Sequence, residues 1–149
     1  MTSLVCAAAG FLLAVLWFDL MFDVQARDHP TGTIPDDVRA SISSYYARVT
    51  TGAAPRSKLV LVAMLALLVG LVGELVQGRV EFWRSFMSLI FAVAATGLAK
   101  WRTVPTAVRI GHNRDDAGTQ SDLIRRVYGD HRSSLVFMLL VVTMHLLTW

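Results

Sequence analysis

The chain has 149 residues, 54% of them hydrophobic and 17% charged, and a mean hydropathy of +0.52. That is more apolar and less charged than an ordinary soluble domain. Its single cysteine, Cys6, excludes an intrachain disulfide or a Cys-x-x-Cys redox pair. The length suits one domain, residues 1–149, more than half of it filled by four membrane spans of about 20 residues each.

The first apolar run, 4–22, ends in Trp17-Phe18-Asp19-Leu20-Met21-Phe22-Asp23. No Lys or Arg precedes it and no small-x-small cleavage site follows, so it reads as a retained transmembrane helix. Ala7, Gly10 and Ala14 form a thin face that predicts close approach of a neighbouring helix. Cys6 reads as a small apolar helix residue. Asp19 lies inside the run and Asp23 closes it, one turn apart. Charge within a span is costly, which makes this pair the most informative feature of the sequence.

Residues 24–57 form the first polar loop. After a turn-rich piece around Pro30 and Gly32, Thr33 offers a cap, and Pro35, Asp36 and Asp37 suit a first helical turn. Val38, Ile42, Tyr45 and Val49 then make one apolar stripe, so an amphipathic helix is predicted, ended by Thr50-Thr51-Gly52 and Pro55. A second span is predicted over 59–76, with Ala66, Gly70, Glu74 and Gly78 on one face. A tight reversal follows over 78–84. The third span, 82–99, carries Ala92, Ala95 and Ala99 as its small face, and Ser85, Ser88 and Thr96 are expected to bond the helix backbone.

Residues 100–130 form the second long loop, opened by Trp101 and Pro105, with a charged, turn-rich centre from Gly111 to Gly118. A helical pattern resumes near Thr119, where Asp122 and Arg126 are spaced to pair. It leads into a fourth span, 131–149, long enough if the helix enters the membrane near Gly129. Twelve Lys and Arg fall on the two long loops or directly beside them (Lys58 after the first, Arg132 after the second), and only Arg79 and Arg84 on the middle turn. This predicts cytoplasmic loops and both termini outside, in a multi-pass protein of the cell's inner membrane. Trp83 and Trp149 fall at the outer boundary, Trp101 at the inner one and Trp17 a little deeper. The expected fold is all-α: an antiparallel four-helix transmembrane bundle with an amphipathic cytoplasmic helix in the first loop.

Asp19, Asp23 and His131 are the candidate catalytic residues, at the cytoplasmic end. Two carboxylates one turn apart can hold a divalent cation, share a proton or clamp a basic group, with His131 and His112 the nearest further metal ligands. The plainer expectation is that they pair with Arg125, Arg126 or Arg132. Tyr45, Tyr46 and Arg48 are candidate binding residues for a head group or planar ligand, or else interfacial anchors. Glu74 and His145 reach similar depth toward the outer end, as a proton-handling pair or a helix-to-helix hydrogen bond. No bis-haem, zinc, phosphate-loop, nucleophile-elbow or dinucleotide pattern is present, so no cofactor is implied. The basic loops fit anionic lipid head groups, not nucleic acid.

Val104-Pro105-Thr106-Ala107-Val108-Arg109, then Leu123-Ile124-Arg125-Arg126 and Tyr128-x-x-His131-Arg132, resemble the anthrone-oxygenase-like four-helix membrane proteins over the last third of the chain. The resemblance implies cofactor-free oxidation of a lipophilic phenolic substrate, with His131 the one position carried over. The Asp19/Asp23 pair departs from that pattern. The lack of a cysteine pair argues against the four-helix quinone reductases. The Glu-Arg and Asn-x-x-Glu signature of the glutathione-transferase-like membrane enzymes is missing from the first loop. Two functions remain: a small lipophilic molecule or a metal bound or transformed at the cytoplasmic face, or a non-catalytic subunit or homo-oligomer acting through Gly70-type faces.

Overall fold

The computed structural model describes residues 1–52, 54–78 and 80–146, with side chains described outside 51–56. The expected turn arginine Arg79 and boundary tryptophan Trp149 lie outside the described residues, as does the side chain of Arg56. The chain is all-helical, 88% helix, with no strand among the described residues. Among the described residues six α-helices follow in order: α1 Thr2–Asp23, α2 Asp36–Ala47, α3 Ala54–Gln77, α4 Phe82–Leu98, α5 Val104–His112 and α6 Ala117–Leu146. A 3-10 turn, Val24–Ala26, extends α1. π-Helical turns follow α2 (Arg48–Gly52) and join α4 to α5 (Ala99–Thr103). Among the described residues three helical stretches are long and apolar enough to cross a membrane: Thr2–Ala26, Ser57–Gln77 and Phe82–His112.

Helices α1, α3, α4 and α6 pack on one another, α1 against α3 and α6, and α4 against α3 and α6. Their shared core includes Val5, Ala9, Leu12, Leu67, Leu71, Ala92, Met138 and Val141. Helices α2 and α5 pack together and, with the first half of α6, enclose a second core of Ile34, Ile42, Tyr46, Ile110, Ile124 and Val127. Polar ties lock this second layer. Gln120 Nε2 donates to Ser43 Oγ at 2.9 Å and to the Ile110 carbonyl at 3.0 Å. Arg125 Nη1 donates to the carbonyls of His29 and Gly32, pinning the α1–α2 connection to α6.

Several expectations need correction. The second long loop, 100–130, expected to be helical only from near Thr119, is helical over most of its length. Its one break, 113–116, is made by Asn113 in the left-handed conformation (φ 49) and by Asp116. The Asp116 carboxylate accepts the Gly118 and Thr119 N–H groups and so caps α6. Helix α6 then runs through Gly129 without a break, as the length of the fourth span requires. Helix α2 begins after Pro35 with no side-chain cap, so Thr33 does not cap it. Pro55 lies in the first turn of α3 and does not end the preceding helix alone; there its missing N–H costs nothing. Arg125, not Arg126, pairs with Asp122, at 2.7 Å.

The thin faces divide. Gly70 is used within the chain: a Cβ built there would lie 2.9 Å from Val5 Cγ2. Ala92 and Ala95 are buried on α4 as expected. Ala7, Gly10 and Ala14 are exposed, because α1 packs through the neighbouring seam Val5, Ala8, Ala9 and Leu12. Ser85 turns to Glu74 and Ser88 to Met144, so only Thr96 bonds its own helix backbone, at Ala92.

Candidate functional site

The two cores meet at the last turns of α1, and the polar cluster sits in that seam. Asp19 and Asp23 are both buried, Asp23 completely. Each faces one of two consecutive tyrosines on α2. Neighbouring helical residues diverge by about 100°, and the Tyr45 and Tyr46 rings accordingly meet edge-on, 5.4 Å between centroids and 69° between planes. The Tyr45 hydroxyl donates to Asp19 Oδ1, and the Tyr46 hydroxyl donates to Asp23 Oδ1 at 2.6 Å. Phe22 stacks on Tyr45 with centroids 3.9 Å apart and holds that phenol in place.

His131, from α6, closes the cluster. Its Nδ1 lies 2.6 Å from Asp23 Oδ2. With Tyr46 donating to the other oxygen, Asp23 is a double acceptor, which fixes the proton of neutral His131 on Nδ1. Nε2 is then the ring nitrogen offered to a neighbouring group. Burial, followed by the charge of Asp23, pushes the Tyr46 phenol well above its ordinary value and keeps it a donor.

A cavity of about 700 Å³ opens beside this cluster, within the range of small-molecule sites. Asp19, Tyr46 and His131 line its polar end, with Lys100 and Thr103. Its remaining wall is mostly apolar, from Val15 of α1 through Met64 and Leu68 of α3 to Ala107 of α5, with Thr50, Ser57 and Thr96 as further polar lining. Leu61, Leu65 and Val93 also line it and are each more than half exposed, so it opens sideways between α3 and α4. Both π-helical turns contribute to the wall, through Val49 and Thr50 in one and Ala99 to Trp101 in the other. Such turns occur frequently at functional sites.

The expected ion pairs of Asp23 with loop arginines do not form. Its partners are a phenol and an imidazole, while Arg125 is held by Asp122, His29 and Gly32. Arg48 is exposed and bonds Ser44, away from the cavity. His112 is exposed at the end of α5. No three His, Cys, Asp or Glu among the described residues converge to hold a metal ion. Glu74 and His145 form a separate buried pair, His145 Nε2 to Glu74 Oε2 at 3.0 Å, beside Ser85. They face each other across α3 and α6, several turns from the cluster.

Sequence reasoning missed Lys100 and Thr103 as cavity residues, and the pairing of Arg102 with the buried Asp130 beneath them. Arg102 Nε lies 2.9 Å from both Asp130 oxygens, and Thr103 adds a 3.3 Å bond. The signal was Lys100, Arg102 and Thr103 around Trp101 at the end of an apolar helix, which reads as a loop start until the helix is seen to continue. No protein-family model, curated protein or solved structure matches the chain.

Proposed function

We propose that this chain is a four-span protein of the cell membrane that binds a small lipophilic molecule with a hydroxyl head at the Asp19–Asp23–His131 cluster. The observation that carries the reading is the His131 ring. One nitrogen is committed to a buried carboxylate, and the ring lines an apolar cavity with a lateral mouth. The mouth faces the side that lipid would cover, so a ligand dissolved in the bilayer enters without crossing water.

The fourth span in this proposal is the second half of α6. Support comes from its packing between α1 and α4, both of which lie in helical stretches, Thr2–Ala26 and Phe82–His112, long and apolar enough to span. The skew of Lys and Arg supports cytoplasmic placement of the site end, with both termini outside. Chemically, neutral His131 accepts a hydrogen bond or a proton from the ligand hydroxyl at Nε2. Asp23 stabilises the imidazolium so formed, and Tyr46 stabilises Asp23. The resemblance to the anthrone-oxygenase-like proteins suggests cofactor-free oxidation of a lipophilic phenol, and removal of the phenol proton by His131 would prepare a substrate for such an oxidation. The metal reading has no third ligand in its support. The subunit reading has lost Gly70 as a free face and rests on Ala7, Gly10 and Ala14.

Nonylphenol and nonylbenzene provide the test, read through Trp101, which lines the cavity, in protein whose other tryptophans are Phe. The hydroxyl should improve binding about 2- to 10-fold, the value of one hydrogen bond, and His131→Phe should erase that difference. Equal binding of the two compounds to the protein with His131 intact overturns the proposal.

A further inference from the structure

A second groove lies on the other side of α1. Trp17, Leu20, Met21 and Val24 of α1 face Tyr128 and Arg132 of α6 across about 270 Å³. Trp17 and Met21 are more than half exposed and Val24 nearly so. The wall on α1 is thus apolar for two turns, and the cation stands at one rim. The Arg132 guanidinium lies over the Tyr128 ring, 5.5 Å from its centroid. Arg39, Arg102, Arg109 and Arg125 each have a carboxylate partner. Arg132, exposed at the groove, has no ion pair among the described residues.

We infer that this groove binds one anionic phospholipid, its acyl chain along Trp17, Leu20 and Met21 and its phosphate on Arg132. Charge complementarity selects the head, because a cation with no ion pair among the described residues stands where the apolar wall ends. A planar ring beneath the guanidinium orients it toward the rim and limits its motion. The level fits as well: Asp23 ends the span on α1, and Arg132 follows the His131 that meets it. This inference rests on the membrane reading above and goes beyond it, since the groove is separate from the His131 cavity.

The experiment uses full-length protein with Trp17 as its sole tryptophan (W83F, W101F, W149F), reconstituted in phosphatidylcholine vesicles. Brominated-chain phosphatidylglycerol or brominated-chain phosphatidylcholine is added at equal mole fraction. The anionic lipid should quench Trp17 with about a five-fold preference, the value of one basic residue at the membrane surface. R132Q should remove the preference and R132K keep most of it. Equal quenching by both lipids, or a preference that survives R132Q, overturns the site while leaving the membrane reading intact. Quenching by neither overturns both. Native mass spectrometry of delipidated wild type and R132Q with added phosphatidylglycerol reads the same contrast without the tryptophan substitutions. One retained lipid on wild type and none on R132Q is expected, and equal retention contradicts the site.

Discussion

Asp23 is fully buried, and two short hydrogen bonds of 2.6 Å, from Tyr46 and His131, replace the water it has lost. Bonds to an ionised group contribute about 1.5–3 kcal/mol each, so this carboxylate depends on both neighbours. Tyr46 gives the test at this scale. Its phenol is pushed up first by burial and then by Asp23, so its folded value lies above its unfolded one. Stability from this residue is therefore complete below about pH 10, the ordinary phenol value, and falls as pH rises above it. In a tyrosinate absorbance titration, Tyr46 should ionise only as the protein unfolds. Tyr46→Phe should abolish that late step and flatten the loss of stability above about pH 10. Early ionisation of all three would show that Tyr46 is not held as described. The one-turn spacing of Asp19 and Asp23 was plain in the sequence. The partner of Asp23 was not. Arginines are abundant nearby, but a guanidinium brought to full burial carries a desolvation cost that a neutral phenol escapes.

At the scale of elements, helices were legible where apolar periodicity was long, and their faces were less so. Several seams on α1 offer small residues, and only the partner decides between them. Val5 fits the gap above Gly70, which turns α1 through Val5, Ala8 and Leu12 and leaves Gly10 outside. Gly70→Leu should destabilise the protein by about 1–3 kcal/mol, the usual cost of overpacking. Gly10→Leu, with nothing within 4 Å of its added Cβ, should leave the protein at least as stable, since leucine is the better helix former. Thermal unfolding in mild detergent reads both, and a reversal of the order contradicts the packing of α1. The helical character of 100–112 escaped the sequence because its charges suggested a loop. Those charges are in fact taken up laterally, Arg102 by Asp130 and Arg109 by Asp115.

For the whole molecule, the arrangement of two cores explains why a polar site exists here at all. The apolar core of α1, α3, α4 and α6 ends where the α2–α5 layer begins, and Asp19, Asp23, Tyr46 and His131 occupy that boundary. Neither core alone holds them, and a cavity remains where the two layers and the α3–α4 gap meet. The sequence showed the alternation of apolar runs and polar segments. It did not show that the polar segments fold back as a second packed layer, because that depends on contacts such as Gln120 with Ser43 across 77 residues. The central claim is that this cavity holds a lipophilic molecule. Native mass spectrometry of the protein purified from its own membranes in mild detergent tests it most directly, with Gly10→Leu and Val93→Trp beside the wild type. The account predicts one small added mass on wild type and on Gly10→Leu, absent from Val93→Trp, where the indole narrows the mouth. Bare wild-type protein, or an added mass that Val93→Trp retains in full, would contradict it.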